Sequence, residues 1–467
     1  MDATELPLLG AAELLDGYAR GDFTPLDVLQ SVLERIARLN PQVNAFAAMN
    51  PAARAAAADS TARWRAARPL GALDGVPCTV KDLVDVAGLP TRRGSLLTDP
   101  APVAEDAPLV LGLKAAGAVI LGKTTTTEFG WKSPGDCPLH GITRNPWALE
   151  RTPGGSSSGA AAASAAGFGA LHVGTDAGGS IRIPAAWSGR VGLKPSFGLV
   201  AQWPAGAFAT VACAGPIAAT VRDAALMLGA MAGPDPRDPF SLPDLGQDFL
   251  IGLEDGVAGL RIGVLEAPGF DAPVDAEGIA AVERAAAWLA DAGAALAPVR
   301  PALPDTSAVF GRVWGVALAR LVASFPEAAR ARLDPGLLAV AAAECDMSAI
   351  AFMEAMAMQV ATGHALGRLM QRFDLLLCPS VPGPPPLADA PLGDPLRALW
   401  QEWAPWTFAF NLSRQPAIAV PAGLRGDGLP ASVQLVGAQY ADALVLRAAR
   451  AVEARAAMPP VPFPPAA

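Results

Sequence analysis

The chain of 467 residues is 52% hydrophobic and only 17% charged, a composition that can bury a large core. Its formal net charge of -9 and the lack of any basic run argue against a nucleic-acid groove, because phosphate binding requires clustered Lys and Arg. The five cysteines are far apart and include no C-x-x-C pair, which indicates neither a zinc site nor a disulfide framework.

The N-terminal segment MDATELPLLG lacks the basic and long apolar regions of a signal peptide, so we expect a cytoplasmic protein. The uncharged stretch between Arg151 and Asp176 consists mainly of Gly, Ala and Ser. This composition favours a closely packed buried segment over lipid insertion. We therefore expect no membrane span.

The first hundred residues are predicted to be mainly helical. A helix is predicted to begin at TPLD, which starts with Thr24, and to end at Asn40-Pro41. The apolar run Val76–Val80 then predicts a buried strand that ends at Lys81. Helix, strand and Gly-rich turn keep alternating through AVILGK and VGLKPSFGLV, which is typical of an α/β protein with a covered central sheet.

The pattern changes near Gly233, where GPDPRDPFSLPDLG predicts a long polar turn before the strand LRIGVLE. Mostly Ala-rich helix follows, then the strands DLLLCP, AIAVP and ASVQLVG, and a helix from Asp442. We predict one domain of 467 residues, with these parts: N-terminal helices 1–70, a catalytic core 71–232, a helical cover 276–372, the C-terminal part of the core 373–457 and a disordered tail 458–467.

Two motifs match catalytic patterns without the context that those patterns require. GAVILGKT, Gly117–Thr124, fits the phosphate-loop pattern, but its apolar run predicts a strand rather than an open turn. GSSSG fits G-x-S-x-G with Ser157 at its centre. A nucleophile elbow would need a preceding strand and a downstream histidine, and His364 alone lies far downstream. An α/β-hydrolase-type esterase using Ser157 is therefore an alternative interpretation.

A candidate nucleophile, Ser180, stands behind two glycines in GTDAGGSIRIP. A serine hydroxyl needs a base to remove its proton, and the chain has only three histidines. A lysine can act as that base when burial keeps it neutral. Lys81, at the end of an apolar strand, is the candidate by position.

The segments PGGSSSGAAAA, GTDAGGSIRIPA and GLKPSFGLV resemble the amidase signature family, serine hydrolases that use a Ser-cisSer-Lys triad. DGVPCTVKDLVDVAG, GAVILGKTTTTEFG and much of the C-terminal part extend the resemblance. It implies an α/β fold with a central mixed twisted β-sheet covered by helices on both faces. It also implies an amidohydrolase in which Ser180 is the nucleophile, Ser156 the bridging serine after a cis peptide bond, and Lys81 the base.

The turn around Ser180 carries further expectations. The backbone N–H groups of small residues can curl around one point and form an oxyanion hole. Thr175 is expected to line the site. Asp176 and Arg182 either form an ion pair that stiffens the turn, or Arg182 binds an acidic substrate. The expected oxyanion-hole donors are the amides of Ala177, Gly178, Gly179 and Ser180.

Substrate and partners are less well defined by the sequence. Trp131, Trp203 and Phe208 favour an aryl or alkyl amide, or a carbamate or ester of similar shape. The family includes an amidotransferase subunit, which would need partner chains and basic surface, and a catalytically inactive relative acting as a binding protein is a further alternative. The proposed chemistry needs neither metal nor cofactor. The helical block 276–372 is the candidate for substrate entry and for a homodimer contact.

Overall fold

The computed structural model of the protein describes residues 5–389 and 405–463. The strands are β1 (Phe46–Met49), β2 (Pro77–Lys81), β3 (Val119–Thr124), β4 (Asp136–Cys137), β5 (Gly141–Ile142), β6 (Leu171–Asp176), β7 (Val191–Lys194), β8 (Cys213–Ala218), β9 (Arg261–Leu265), β10 (Ala295–Val299), β11 (Leu375–Pro379), β12 (Ala417–Leu424) and β13 (Pro430–Gly437). Eleven of these strands form one sheet in the order β1-β3-β2-β6-β8-β7-β12-β13-β11-β9-β10. The pairs within β3-β2-β6 and within β11-β9-β10 are parallel and the others antiparallel, so the sheet is mixed, as expected.

Helices flank this sheet. The α-helices are α1 (Ala11–Arg20), α2 (Pro25–Val43), α3 (Ala53–Arg65), α4 (Pro108–Ala115), α5 (Ser158–Ala166), α6 (Arg182–Trp187), α7 (Val221–Met231), α8 (Ala276–Asp291), α9 (Thr306–Ala323), α10 (Glu327–Arg330), α11 (Pro335–Glu344), α12 (Ala349–Leu369), α13 (Ala409–Leu412) and α14 (Asp442–Ala456). Helices α7, α8 and α14 contact the sheet strands β8, β13 and β12.

Apolar packing covers both faces of the sheet. Successive residues of a strand point to opposite faces. In β11, Leu375 and Leu377 belong to one hydrophobic cluster, whereas Leu376 and Cys378 belong to another. The strand is therefore buried on both sides, which explains why its sequence is a continuous apolar run rather than an alternating one.

Helix α2 begins as predicted but ends later. The side chain of Thr24 caps it by accepting a hydrogen bond from the Asp27 N–H. The helix continues through Pro41 to Val43, so the predicted end at Asn40-Pro41 is wrong. A proline in the last turn removes only one hydrogen-bond donor, and the burial of Val43 holds that turn in place.

Two short edge strands were not predicted. Strand β1 lies among the N-terminal helices, and β10 lies within the block 276–372 that was predicted to be mostly helical. Strand β10 pairs with β9, and α8 packs on β11, β12 and β13. The first part of this block therefore belongs to the main sheet, while α9, α11 and α12 pack on one another away from it.

Helix α9 is the described helix whose length and composition alone would suffice to cross a membrane, with 39% of its 18-residue window buried. Its Phe310 and Trp314 pack in a hydrophobic cluster inside the molecule. The stretch between Arg151 and Asp176 forms α5 and β6, and its residues are almost entirely buried. Residues 458–463 of the predicted tail form neither helix nor strand, and residues 464–467 lie outside the described residues.

Candidate active site

The site forms where two parallel strands end side by side. Strands β2 and β6 are neighbours, with Val80 opposite Val173. The carboxyl ends of parallel strands meet at one edge of a sheet, so Lys81 at the end of β2 lies next to Thr175 near the end of β6. The predicted strand that delivers Lys81 to the site is confirmed.

Lys81 is completely buried among oxygen atoms. Its Nζ lies 2.7 Å from Ser156 Oγ, 2.9 Å from Ser157 Oγ and 2.9 Å from Thr175 Oγ1. Burial lowers the pKa of Lys81 well below its ordinary value, and the charge of Asp176 opposes this shift only in part. A neutral amine has a free electron pair, so this lysine can accept a proton from a hydroxyl group.

Ser156 lies in a tight glycine-rich loop before α5. The peptide bond between Gly155 and Ser156 is cis, as the family resemblance implies. A Cβ atom on Gly155 would lie 2.7 Å from the Ser133 carbonyl oxygen, so only glycine fits there. The same loop brings Ser156 Oγ against Gly130, where a Cβ atom would lie 3.1 Å from it.

Ser180 shares a cavity with Ser156. Among the described residues Ser180 Oγ makes no hydrogen bond, while the Ser180 carbonyl accepts one from the Ser157 N–H at 3.2 Å. The Lys81–Ser156 hydrogen bond is thus formed, and the one between Ser156 and Ser180 is not. Hydrogen bonds of this kind often tighten only when the substrate binds.

The turn before Ser180 is built on a buried ion pair. Both side chains of Asp176 and Arg182 are fully buried, with Arg182 Nε 2.9 Å from Asp176 Oδ2. Burial alone would raise the pKa of Asp176, but the charge of Arg182 and the hydrogen bonds from Arg182 and Asn411 hold it well below its usual range. The predicted ion pair is confirmed. Because Arg182 is fully buried and absent from the cavity wall, it does not bind a substrate.

The ion pair also decides which backbone amides face the cavity. The Gly179 N–H donates to Asp176 Oδ1 at 2.8 Å. Gly179 has a φ of 127°, and a Cβ atom there would lie 2.4 Å from Thr407 Oγ1. Within the described part of the chain, the amides of Ala177, Gly178 and Ser180 make no hydrogen bond. The expected set of four donors is thereby reduced to three.

Ser157 has a role that the sequence did not suggest. It stands at the N-cap position of α5, but its side chain makes no capping bond, so the expectation that a serine caps this helix is not met there. Instead Ser157 Oγ accepts from Lys81 and donates to the Thr175 carbonyl at 3.2 Å. It does not line the cavity, no strand precedes it directly, and His364 lines a different cavity. This geometry does not support a nucleophile elbow; the run of three serines was the signal that more than one contacts the lysine.

The cavity has a volume of about 350 Å³, and its walls are largely apolar. Trp203 and Phe208 line it, as the sequence suggests, and Leu321 of α9 contributes to the wall. Trp131 does not line it: its side chain is buried, and a Cβ atom on Gly336 would lie 2.6 Å from its ring. No group of three or more His, Cys, Asp or Glu residues within the described part of the chain could hold a metal ion.

A mixed sheet that brings a buried lysine, serine hydroxyls and free backbone amides to one cavity defines a hydrolase. The sequence model of the Amidase family matches residues 27–446. The chain therefore belongs to the amidase signature family, and the resemblance seen in its motifs is confirmed. It is a hydrolase of carbon–nitrogen bonds.

Similar proteins span nearly the whole chain. The chain is 34% identical to an acylamidase of Rhodococcus erythropolis over 97% of each chain. It is also 34% identical, over 96% of each chain, to the A-type chain of the glutamyl-tRNA(Gln) amidotransferase of Symbiobacterium thermophilum. The crystal structure of a bacterial aryl acylamidase of the amidase signature family superposes with a TM-score of 0.87 at 31% identity and 96% coverage of both chains.

Proposed function

We propose that the protein hydrolyses the amide bond of a small molecule with an apolar or aryl group, through an acyl-enzyme formed on Ser180. The observation that carries this proposal is the position of Lys81. Its buried Nζ lies 2.7 Å from Ser156 Oγ, and Ser156 lines the same cavity as Ser180. A base, a relay and a nucleophile are thus arranged without a histidine.

Acylation begins when Ser180 Oγ attacks the substrate carbonyl carbon. The Ser180 proton passes to Ser156 Oγ as the Ser156 proton passes to the neutral Lys81 Nζ. The carbonyl oxygen becomes an oxyanion, which the free amides of Ala177, Gly178 and Ser180 stabilise by hydrogen bonds. The C–N bond then breaks, and the leaving nitrogen receives the proton from Lys81 through Ser156. A water molecule, deprotonated along the same relay, hydrolyses the acyl-enzyme and restores Ser180.

The cavity walls and the similar proteins support an amide with an apolar or aryl group. Trp203, Phe208 and Leu321 provide apolar surface next to Ser180, and the relatives include an acylamidase and an aryl acylamidase. A carbamate or an ester of similar shape would fit the same chemistry. The likeness to a chain of the glutamyl-tRNA(Gln) amidotransferase favours one second candidate, an amidotransferase component that works with partner chains; glutamine hydrolysis that requires an added partner would favour it.

A fluorophosphonate probe followed by peptide mapping tests the nucleophile. We expect the label on Ser180 and no label in Ser180→Ala. Lys81→Ala, and Lys81→Met which better fills the buried site, should each lower kcat by about 100-fold or more, because a general base of this kind typically contributes that much. Because burial lowers the pKa of Lys81, kcat/KM should rise with pH up to that pKa and stay level above it.

Three results would contradict the proposal. They are a label on another serine, no label from pH 6 to 10 with the fold intact by circular dichroism, and full turnover in both Lys81 variants. No label would favour an inactive relative that binds without hydrolysis, and a label on Ser157 would favour the esterase interpretation.

A further inference from the structure

Two arginine side chains line the cavity that holds Ser180. Arg93 lies in the loop after β2, and Arg320 lies on α9. No Asp or Glu is among the described residues that line this cavity, although the chain carries 44 acidic and 35 basic residues. The cavity is therefore cationic in a protein that is acidic overall.

The backbone of Arg93 is fixed in a conformation that residues other than glycine rarely adopt. Its φ is 53°, in the left-handed region that disfavours a side chain. The Arg93 N–H donates to the Asp82 carbonyl at 3.1 Å, and the Arg93 carbonyl accepts from the Phe129 N–H at 2.8 Å. The side chain is 31% exposed, and its nearest carboxylate, of Asp85, is 4.0 Å away, too far for a hydrogen bond.

Arg320 reaches the cavity from a separate part of the fold. It is exposed, and within the described ranges its guanidinium makes no hydrogen bond or ion pair. The ring of Phe129 lies 5.6 Å from that of Phe325, which follows the end of α9. This contact joins the loop that carries Arg93 to the end of the helix that carries Arg320.

We propose that the amide substrate carries a carboxylate, which Arg93 and Arg320 bind at the cavity mouth while the apolar wall holds the chain between it and the scissile bond. Guanidinium groups present parallel N–H donors that match the two oxygens of a carboxylate. Neither arginine has a carboxylate partner within hydrogen-bond distance in the described part of the chain, so both are free to bind one from the substrate. This inference rests on the proposed function, since it names the substrate class of the same site.

The test compares two anilides with the same acyl chain, one ending in a carboxylate and the other in a methyl group. We expect the wild type to prefer the carboxylate substrate by at least about tenfold in kcat/KM, because a hydrogen bond to a charged group contributes about that factor or more. The ratio of the two kcat/KM values should fall about tenfold in Arg93→Met and in Arg320→Met. Added salt should weaken the preference, because the cavity mouth is open to solvent. Arg312→Met is the matched control: this arginine of α9 does not line the cavity, so the ratio should not change.

A binding measurement separates this inference from the proposed function. In Ser180→Ala, the carboxylate anilide should bind more tightly than the methyl anilide by calorimetry, and adding Arg320→Met should abolish the difference. If neither anilide is hydrolysed by the wild type yet this binding difference is found, the proposed function fails and the carboxylate site stands. Equal binding of the two anilides, or equal losses for both in the arginine variants, would overturn the site.

Discussion

The buried ion pair under the nucleophile turn provides a quantitative prediction for Asp176→Asn. The Asp176 carboxylate accepts hydrogen bonds from Arg182 Nε and Nη2, both at 2.9 Å, and from the Gly179 and Ile181 amides at 2.8 and 3.1 Å. Asn411 Nδ2 donates a further bond at 2.9 Å. The substitution keeps the shape of the side chain but removes its charge. It therefore leaves the guanidinium of Arg182 in the interior without a counter-charge.

The expected cost is large because neither partner of the pair contacts solvent. Both side chains have 0% exposure, and breaking a buried pair by removing one partner typically costs about 3 to 5 kcal/mol. The Gly179 and Ile181 amides also lose a charged acceptor. We expect the free energy of unfolding to fall by about that amount, and turnover to fall as well because these amides flank Ser180.

Urea denaturation at pH 7.5, followed by circular dichroism, measures this loss. Asp374→Asn is the matched control, since its pair with Arg261 is exposed by 29% and 52% and should contribute less than about 1 kcal/mol. The double variant Asp176→Asn with Arg182→Met should lose less stability than the two single variants added together, because no unpaired charge is left. The reasoning is refuted if Asp176→Asn destabilises no more than Asp374→Asn, or if the losses add.

Two other substitutions probe the site from the backbone and from its flank. Gly179→Ala should abolish Ser180 labelling and destabilise the fold, because the new Cβ would lie 2.4 Å from Thr407 Oγ1 at a φ of 127°, whereas Gly229→Ala, with open space at its helical position, should leave labelling unchanged or raise stability; equal labelling would contradict this. Burial raises the pKa of Glu128 from 4.5 to about 6, so the folded state retains a proton that the unfolded state releases, and stability falls as pH rises from about 4.5 to 6. Glu128→Gln should remove this fall, worth about 2 kcal/mol, and a difference between variant and wild type in unfolding free energy that stays constant from pH 4 to 7.5 would exclude it.

Local sequence was sufficient where neighbouring residues determine the conformation. The apolar run before Lys81 predicted β2 because a strand buried on both faces needs apolar side chains throughout. The capping residues at Thr24 predicted the start of α2. The edge strands β1 and β10 were missed because they are short and only partly buried, so they lack the apolar pattern on which such a prediction depends. The end of α2 was missed because the burial of Val43, a tertiary contact, outweighs the effect of Pro41.

The sequence alone determined which residues could perform the chemistry, together with the glycines and the family motifs around them, because side-chain type and local backbone sterics are properties of adjacent residues. Only the tertiary structure decided which groups meet. It placed Ser157 as well as Ser156 on Lys81 and directed the Gly179 amide to Asp176. It also brought Asn411 and Gln434, more than 200 residues away along the chain, onto Arg182. These contacts depend on the pairing of distant strands and on the burial that results, which no short segment encodes by itself.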